Sequence, residues 1–175
     1  MAHLAHSKTR KKTDELSDRQ RRIYDFLHAH PVGVLSSVSA NGEPHGVVIY
    51  FDIDKKFNVS ILTKSETRKY ENLKHYNRIM LTVFESHTQT TAQITGEAIE
   101  IVGNHEINKV ASAILSVSLR VSDQGAPSIL KLEAGHYVAF KIKPSQIRMA
   151  VYARPDSGDY VDLFDTIESF ELRTV

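Results

Sequence analysis

The dipeptide Asn41-Gly42 lies between two runs rich in apolar, β-branched residues, 32–39 (VGVLSSVS) and 45–53 (HGVVIYFDI). Both residues tolerate the positive φ of a tight turn whose twist matches that of paired strands, so this is the strongest short-range hairpin signal. A hairpin forces antiparallel pairing. The short loop 54–56 (DKK) then leads to a third predicted strand, 57–63 (FNVSILT), extending the hairpin into a meander. Further strands are predicted over 78–86, about 89–102, 136–144 and 146–153, with Gly96 as a bulge or a point of close backbone approach. Helices are predicted from Ser17 to the residue before Pro31, over 65–76 with Asn77 closing it, and over 105–117 with Asn104 as cap. The stretch 17–20 (SDRQ) has capping-box form. Nothing alternates in the βαβ sense, so a mainly β antiparallel barrel or sandwich with flanking helices is expected, rather than a doubly wound sheet.

The chain's 175 residues and 41% apolar content suit one domain with a real core. Residues 1–13 are polar and basic and read as a disordered arm; 14–153 form the domain; 154–175 are a tail, expected to pack on the domain or on a dimer partner. The segment 118–134 has no clear pattern. A net charge of +1 creates no field for nucleic acid, and the aromatics do not interleave with basic residues as a stacking platform requires. With no cysteine, disulfides and thiolate chemistry are excluded. No apolar run approaches a membrane span or a signal-peptide core, so a cytoplasmic protein is the expectation.

No P-loop, dinucleotide fingerprint, HExxH or GxSxG occurs. His28 and His30 do not share a helical face, the other histidines are scattered, and no metal site is expected. No residue can be assigned a catalytic role.

One stretch does suggest a ligand. In 62–73 (LTKSETRKYENL), a strand end runs into a helix start, with Arg68 and Lys69 in the first turn. Cations there oppose the helix dipole. An anion could answer both charges and the free N–H groups, with Ser65 and Thr67 adding hydroxyls and Thr63 reaching in from the strand. Alternatively, Ser65 caps the helix and the two cations point into water.

The order of these features resembles the pyridoxamine 5′-phosphate oxidase-like, FMN-binding split-barrel family. In that family a strand ending in Thr is followed, five residues later, by Arg-Lys at a helix start, the spacing of Thr63 to Arg68-Lys69. Asn72, Leu73 and 77–84 (NRIMLTVF) look like the family's NL…NPRVxLxF passage, with Asn77 or its neighbour in place of proline. The segment 33–51 is similar to the family's first hairpin, 91–101 (TAQITGEAIEI) to its QVxVxGxAxxV strand, and 138–149 (VAFKIKPSQIRM) to its strand–Pro–strand ending. The resemblance covers about 30–152.

It implies a six-stranded antiparallel split barrel and a homodimer with FMN at the subunit interface. Arg68 and Lys69 would bind the FMN phosphate, with Thr63, the Leu62 backbone, Ser65 and Thr67 beside it. The strand from Val47 through Val48, Ile49 and Tyr50 to Phe51 would run along the isoalloxazine. The family's strand-five Gln falls at Thr91, with Thr90 or Gln93 as substitutes. His45, Tyr50 and Tyr152 are candidate pocket residues. The C-terminal Arg and His that hold substrate phosphate in the vitamin B6 enzymes have no counterpart in 150–175, so a flavin-dependent oxidoreductase acting on another small-molecule donor or acceptor is implied. A deazaflavin enzyme and a haem- or flavin-binding protein without activity are the alternatives on the same fold.

Overall fold

In the computed structural model of the protein, residues 16–122, 135–152 and 164–172 are described. The expected basic arm, 1–13, lies outside them. Among the described residues the order is α1 (Asp18–Ala29), β1 (Val32–Val38), β2 (Pro44–Ile53), β3 (Val59–Lys64), α2 (Arg68–His75), β4 (Arg78–Glu85), β5 (Thr90–Ile101), α3 (Asn104–Val121), β6 (Tyr137–Tyr152) and β7 (Phe164–Glu171).

Every pairing is antiparallel, in the order β3-β2-β1-β4-β5-β6-β7, and β3 also pairs with β6. That extra pairing, from Val59 opposite Ile142 to Lys64 opposite Tyr137, closes six strands into a barrel and leaves β7 as an appendage. The fold is the expected six-stranded split barrel with flanking helices. Alternate residues of the strands fill it: Leu35, Phe51, Ile61, Leu81, Ile94 and Phe140 are almost wholly buried. Helix α1 plugs one side with Ile23 and Leu27, its start fixed by the Ser17–Gln20 capping box. Among the described residues no helix is long and apolar enough to cross a membrane.

The hairpin forms as expected, with Val38 paired to Pro44, but of the Asn-Gly pair only Gly42 takes positive φ, 83°, in a loop closed between Ser39 and Glu43. Other expectations need correction. Residues 136–144 and 146–153 are not two strands but the single strand β6. Its register against β5 jumps at Gly96: Thr95 faces Gln146 while Gly96 faces Pro144. The extra residue is a bulge, and a bulge is where a strand can carry a proline without losing a ladder hydrogen bond. Gly96 is required there because a Cβ would run into the Lys143 carbonyl. Helix α3 starts after Gly103 and runs to Val121, beyond the expected 117, and 123–134 lie outside the described residues. Within the tail, expected to pack on the domain or a partner, Phe164–Glu171 form the strand β7, which pairs with β6. Phe170 of β7 meets Phe57 edge-on, with ring centroids 5.1 Å apart, and the buried Glu168 carboxylate is bound by Arg22 of α1.

Candidate functional site

The segment joining β3 to α2 is a tight polar turn. Helix α2 begins at Arg68, later than the expected 65, and its N-cap is Thr67 rather than Ser65. The Thr67 amide donates to the Lys64 carbonyl at 3.2 Å, closing the turn that delays the helix. The Thr67 hydroxyl donates to the same carbonyl at 2.8 Å and accepts from the Tyr70 amide at 3.3 Å. Its contact with Thr63 Oγ1, also 2.8 Å, therefore has Thr63 as donor. Thr63 and Thr67 thus direct their protons into the turn. Ser65 accepts from the His136 amide at 3.1 Å and holds the turn against the start of β6. Its own proton has no acceptor among the described residues.

Arg68 and Lys69 are the first two residues of the helix, where backbone N–H groups lack helical acceptors. They are placed very differently. Arg68 is exposed and its guanidinium meets the Glu43 carboxylate, on the β1–β2 hairpin, at 3.0 Å. Lys69 is 8% exposed and has no hydrogen bond or ion pair among the described residues. Burial alone lowers its ammonium from the ordinary 10.5 to about 8. Lys64, also buried, lies 4.9 Å from the centre of the Tyr137 ring. The turn and the helix start thus carry three cations, Lys64, Arg68 and Lys69, each in a different setting. Behind it, Asn72 donates to Ser37 Oγ at 3.1 Å and ties the helix to β1.

The remaining predicted residues are spread along the barrel wall. Leu62 is buried against Val110, Ile114 and Ala139 beneath α3, so only its backbone is available to a ligand. On β2, Ile49 points into the core and Val47 packs against it, whereas Val48 faces outward and Tyr50, half-buried, packs against the Leu62 cluster beneath α3. Val48 is 66% exposed. The partly buried His45 lies opposite Ser37, and its Nδ1 is buried without a partner among the described residues. Thr91 faces outward on β5 and, with Gln93, Arg148, Ala150 and Tyr152, lines a shallow pocket of about 230 Å³. The sequence reasoning did not pick out Arg148; a lone arginine in an alternating strand carries no signal of its own.

Thr91 does not join the basic turn within one chain. The hairpin end of β1 lies at the start of β4, while Thr91 faces Phe84 near its far end. Six residues of strand at about 3.3 Å each put them about 20 Å apart. Between them runs an outward apolar band, Val34 and Val48 paired across β1 and β2 with Met80 and Phe84 on β4, all at least 39% exposed. Among the described residues no cluster of His, Asp or Glu could hold a metal ion.

Residues 20–150 match a sequence model described as pyridoxamine 5′-phosphate oxidase. No curated protein matches. Three solved structures illustrate the likeness of fold. General Stress Protein 26 from Bacillus anthracis str. Sterne superposes with a TM-score of 0.57 at 19% identity, over 74% of this chain and 92% of that one. A heme binding protein from Mycobacterium smegmatis gives 0.64 at 13% identity, over 90% of this chain and 59% of that one. A pyridoxamine 5′-phosphate oxidase-related, FMN binding protein from Nostoc punctiforme PCC 73102 gives 0.55 at 13% identity, over 91% of this chain and all 100% of that one.

Proposed function

Because the chain belongs to the pyridoxamine 5′-phosphate oxidase family, matched over residues 20–150, we propose that it binds FMN and serves as a flavin-dependent oxidoreductase on a small molecule other than a vitamin B6 phosphate. The observation that carries the reading is Lys69, a buried lysine without a counter-charge among the described residues, at a helix N-terminus beside Arg68. A phosphate supplies what that turn lacks among the described residues, acceptors for the Lys69 ammonium, the Ser65 hydroxyl and the first helix N–H groups, and it suits the Arg68 guanidinium as well. The donor set fits a phosphate monoester and offers nothing to a metal cation.

When bound, FMN would supply the hydride or electron transfer, which needs no protein nucleophile. The chain's residues would bind and orient it. Arg68 and Lys69 would hold the phosphate, and the outward edge of β2 around Val48 and Tyr50 would lie along the ring. The apolar band favours a second copy of the chain covering it, since exposed patches of this kind mark association surfaces. A homodimer of that kind would let Thr91 of the partner subunit approach a flavin held at Arg68, which the 20 Å separation along β4 denies to the same chain.

The test is spectroscopic. Purified protein should be yellow or become so with FMN, and Arg68→Ala with Lys69→Ala should weaken FMN far more than riboflavin, which lacks the phosphate. Failure to bind any flavin at micromolar concentration would sink the reading. A Soret band in its place would favour haem.

A further inference from the structure

We propose that Glu43 occupies the place of a ligand phosphate on Arg68, so that this hairpin carboxylate competes with the phosphate and tunes how strongly the site prefers phosphorylated ligands. The inference rests on the phosphate reading of the turn.

Glu43 is well placed for the role. Its amide donates to Ser39 Oγ at 3.1 Å and its carbonyl accepts from the Ser39 amide at 2.9 Å, so the turn fixes its backbone. Gly42, at φ 83°, lets the loop close that tightly, and its own amide donates to the Ser39 carbonyl at 2.9 Å. The hairpin also touches α2 through the Ser37–Asn72 hydrogen bond. The hairpin thus places Glu43 beside the helix start, where its carboxylate accepts from the Arg68 guanidinium at 3.0 Å.

A carboxylate and a phosphate compete for the same fork of N–H donors. Glu43 engages Arg68 but leaves Lys69 unanswered, so it blocks only half of the cationic pair. Both partners are more than half exposed, with side-chain exposures of 53% and 67%. Such a pair is weak. It is strong enough to weaken a ligand and too weak to exclude it.

The sign of the effect separates this role from a merely structural one. If Glu43 competes, Glu43→Gln should tighten FMN about threefold, the size of a surface ion pair, and leave riboflavin unchanged. If Glu43 only positions Arg68, the substitution should weaken FMN. Weaker or unchanged FMN binding overturns the proposal, as does an equal gain for riboflavin. Inorganic phosphate serves as a second probe: its protection in thermal melts should be larger for Glu43→Gln than for the unsubstituted protein. If neither protein binds flavin but the phosphate difference persists, the flavin reading fails and the competition stands. Equal phosphate protection in that case overturns the competition too.

Discussion

Lys69→Met should make the ligand-free protein more stable while nearly abolishing its preference for FMN over riboflavin. Methionine keeps the length of the lysine stem and removes the charge. Burial moves the Lys69 ammonium from 10.5 to about 8. At about 1.4 kcal/mol per pH unit, holding it charged in the fold costs about 3 kcal/mol. The native state binds fewer protons than the unfolded chain between the two values, so stability should rise with pH from about 8 to 10.5. Below about 8 the whole penalty is present. Lys69→Met should therefore gain up to about 3 kcal/mol near pH 7 in urea denaturation and lose the rise above pH 8. The same substitution removes a charge-assisted contact of about 1.5–3 kcal/mol, a loss of about 10- to 100-fold in FMN affinity, read by quenching of flavin fluorescence. A phosphate should also restore the charge, so FMN binding near pH 9 should take up protons, measured by calorimetry in buffers of different ionisation enthalpy. A variant no more stable than the parent, or one that still prefers FMN, would refute the reasoning.

Phe84→Glu, 60% exposed in the apolar band, should abolish self-association in sedimentation without lowering the thermal midpoint of the monomer; a species that remains dimeric would move the interface elsewhere. Gly96→Ala should cost about 1–3 kcal/mol in denaturant unfolding, because its Cβ meets the Lys143 and Pro144 backbone. Glu85 accepts from the Thr88 hydroxyl and from the Thr88 and His87 amides, bonds that lower its carboxyl from 4.5 to about 2. Its contribution is present above about 4.5 and is lost as pH falls toward 2. Glu85→Gln should therefore flatten that part of the acid-stability curve followed by circular dichroism.

Local chemistry decided what could be read in advance. The first hairpin was legible because Asn41-Gly42 imposes both the turn and the antiparallel sense, and the α1 start because Ser17 and Gln20 satisfy each other's amides. The join within β6 was not legible, since Pro144 looks like a break until the bulge opposite Gly96 accommodates it. Nor was β7. Its inward positions include Glu168, its outward ones Ile167, and this inverts the usual pattern; among the described residues the glutamate's partner is Arg22, 146 residues away, which no local pattern reveals. The basic turn was legible as a spacing, but the split of Thr91 from Arg68 across the barrel wall follows from register, which no local motif contains.

Arg68 and Lys69 show what three dimensions add. Adjacent residues on a helix point about 100° apart, so a sequence cannot say which of two neighbouring cations is buried. A solvated face was a fair account of both, and for Arg68 a surface carboxylate is a sufficient partner. For Lys69, largely buried, that account is a costly one. Among the described residues the fold answers that charge with nothing, at a helix end whose dipole adds to the cost. A buried charge left uncompensated among the described residues is what a bound anion would relieve, and Arg68 beside it at the helix N-terminus suits the same partner. The destabilised lysine, rather than the exposed arginine, is therefore the stronger argument for a phosphate site.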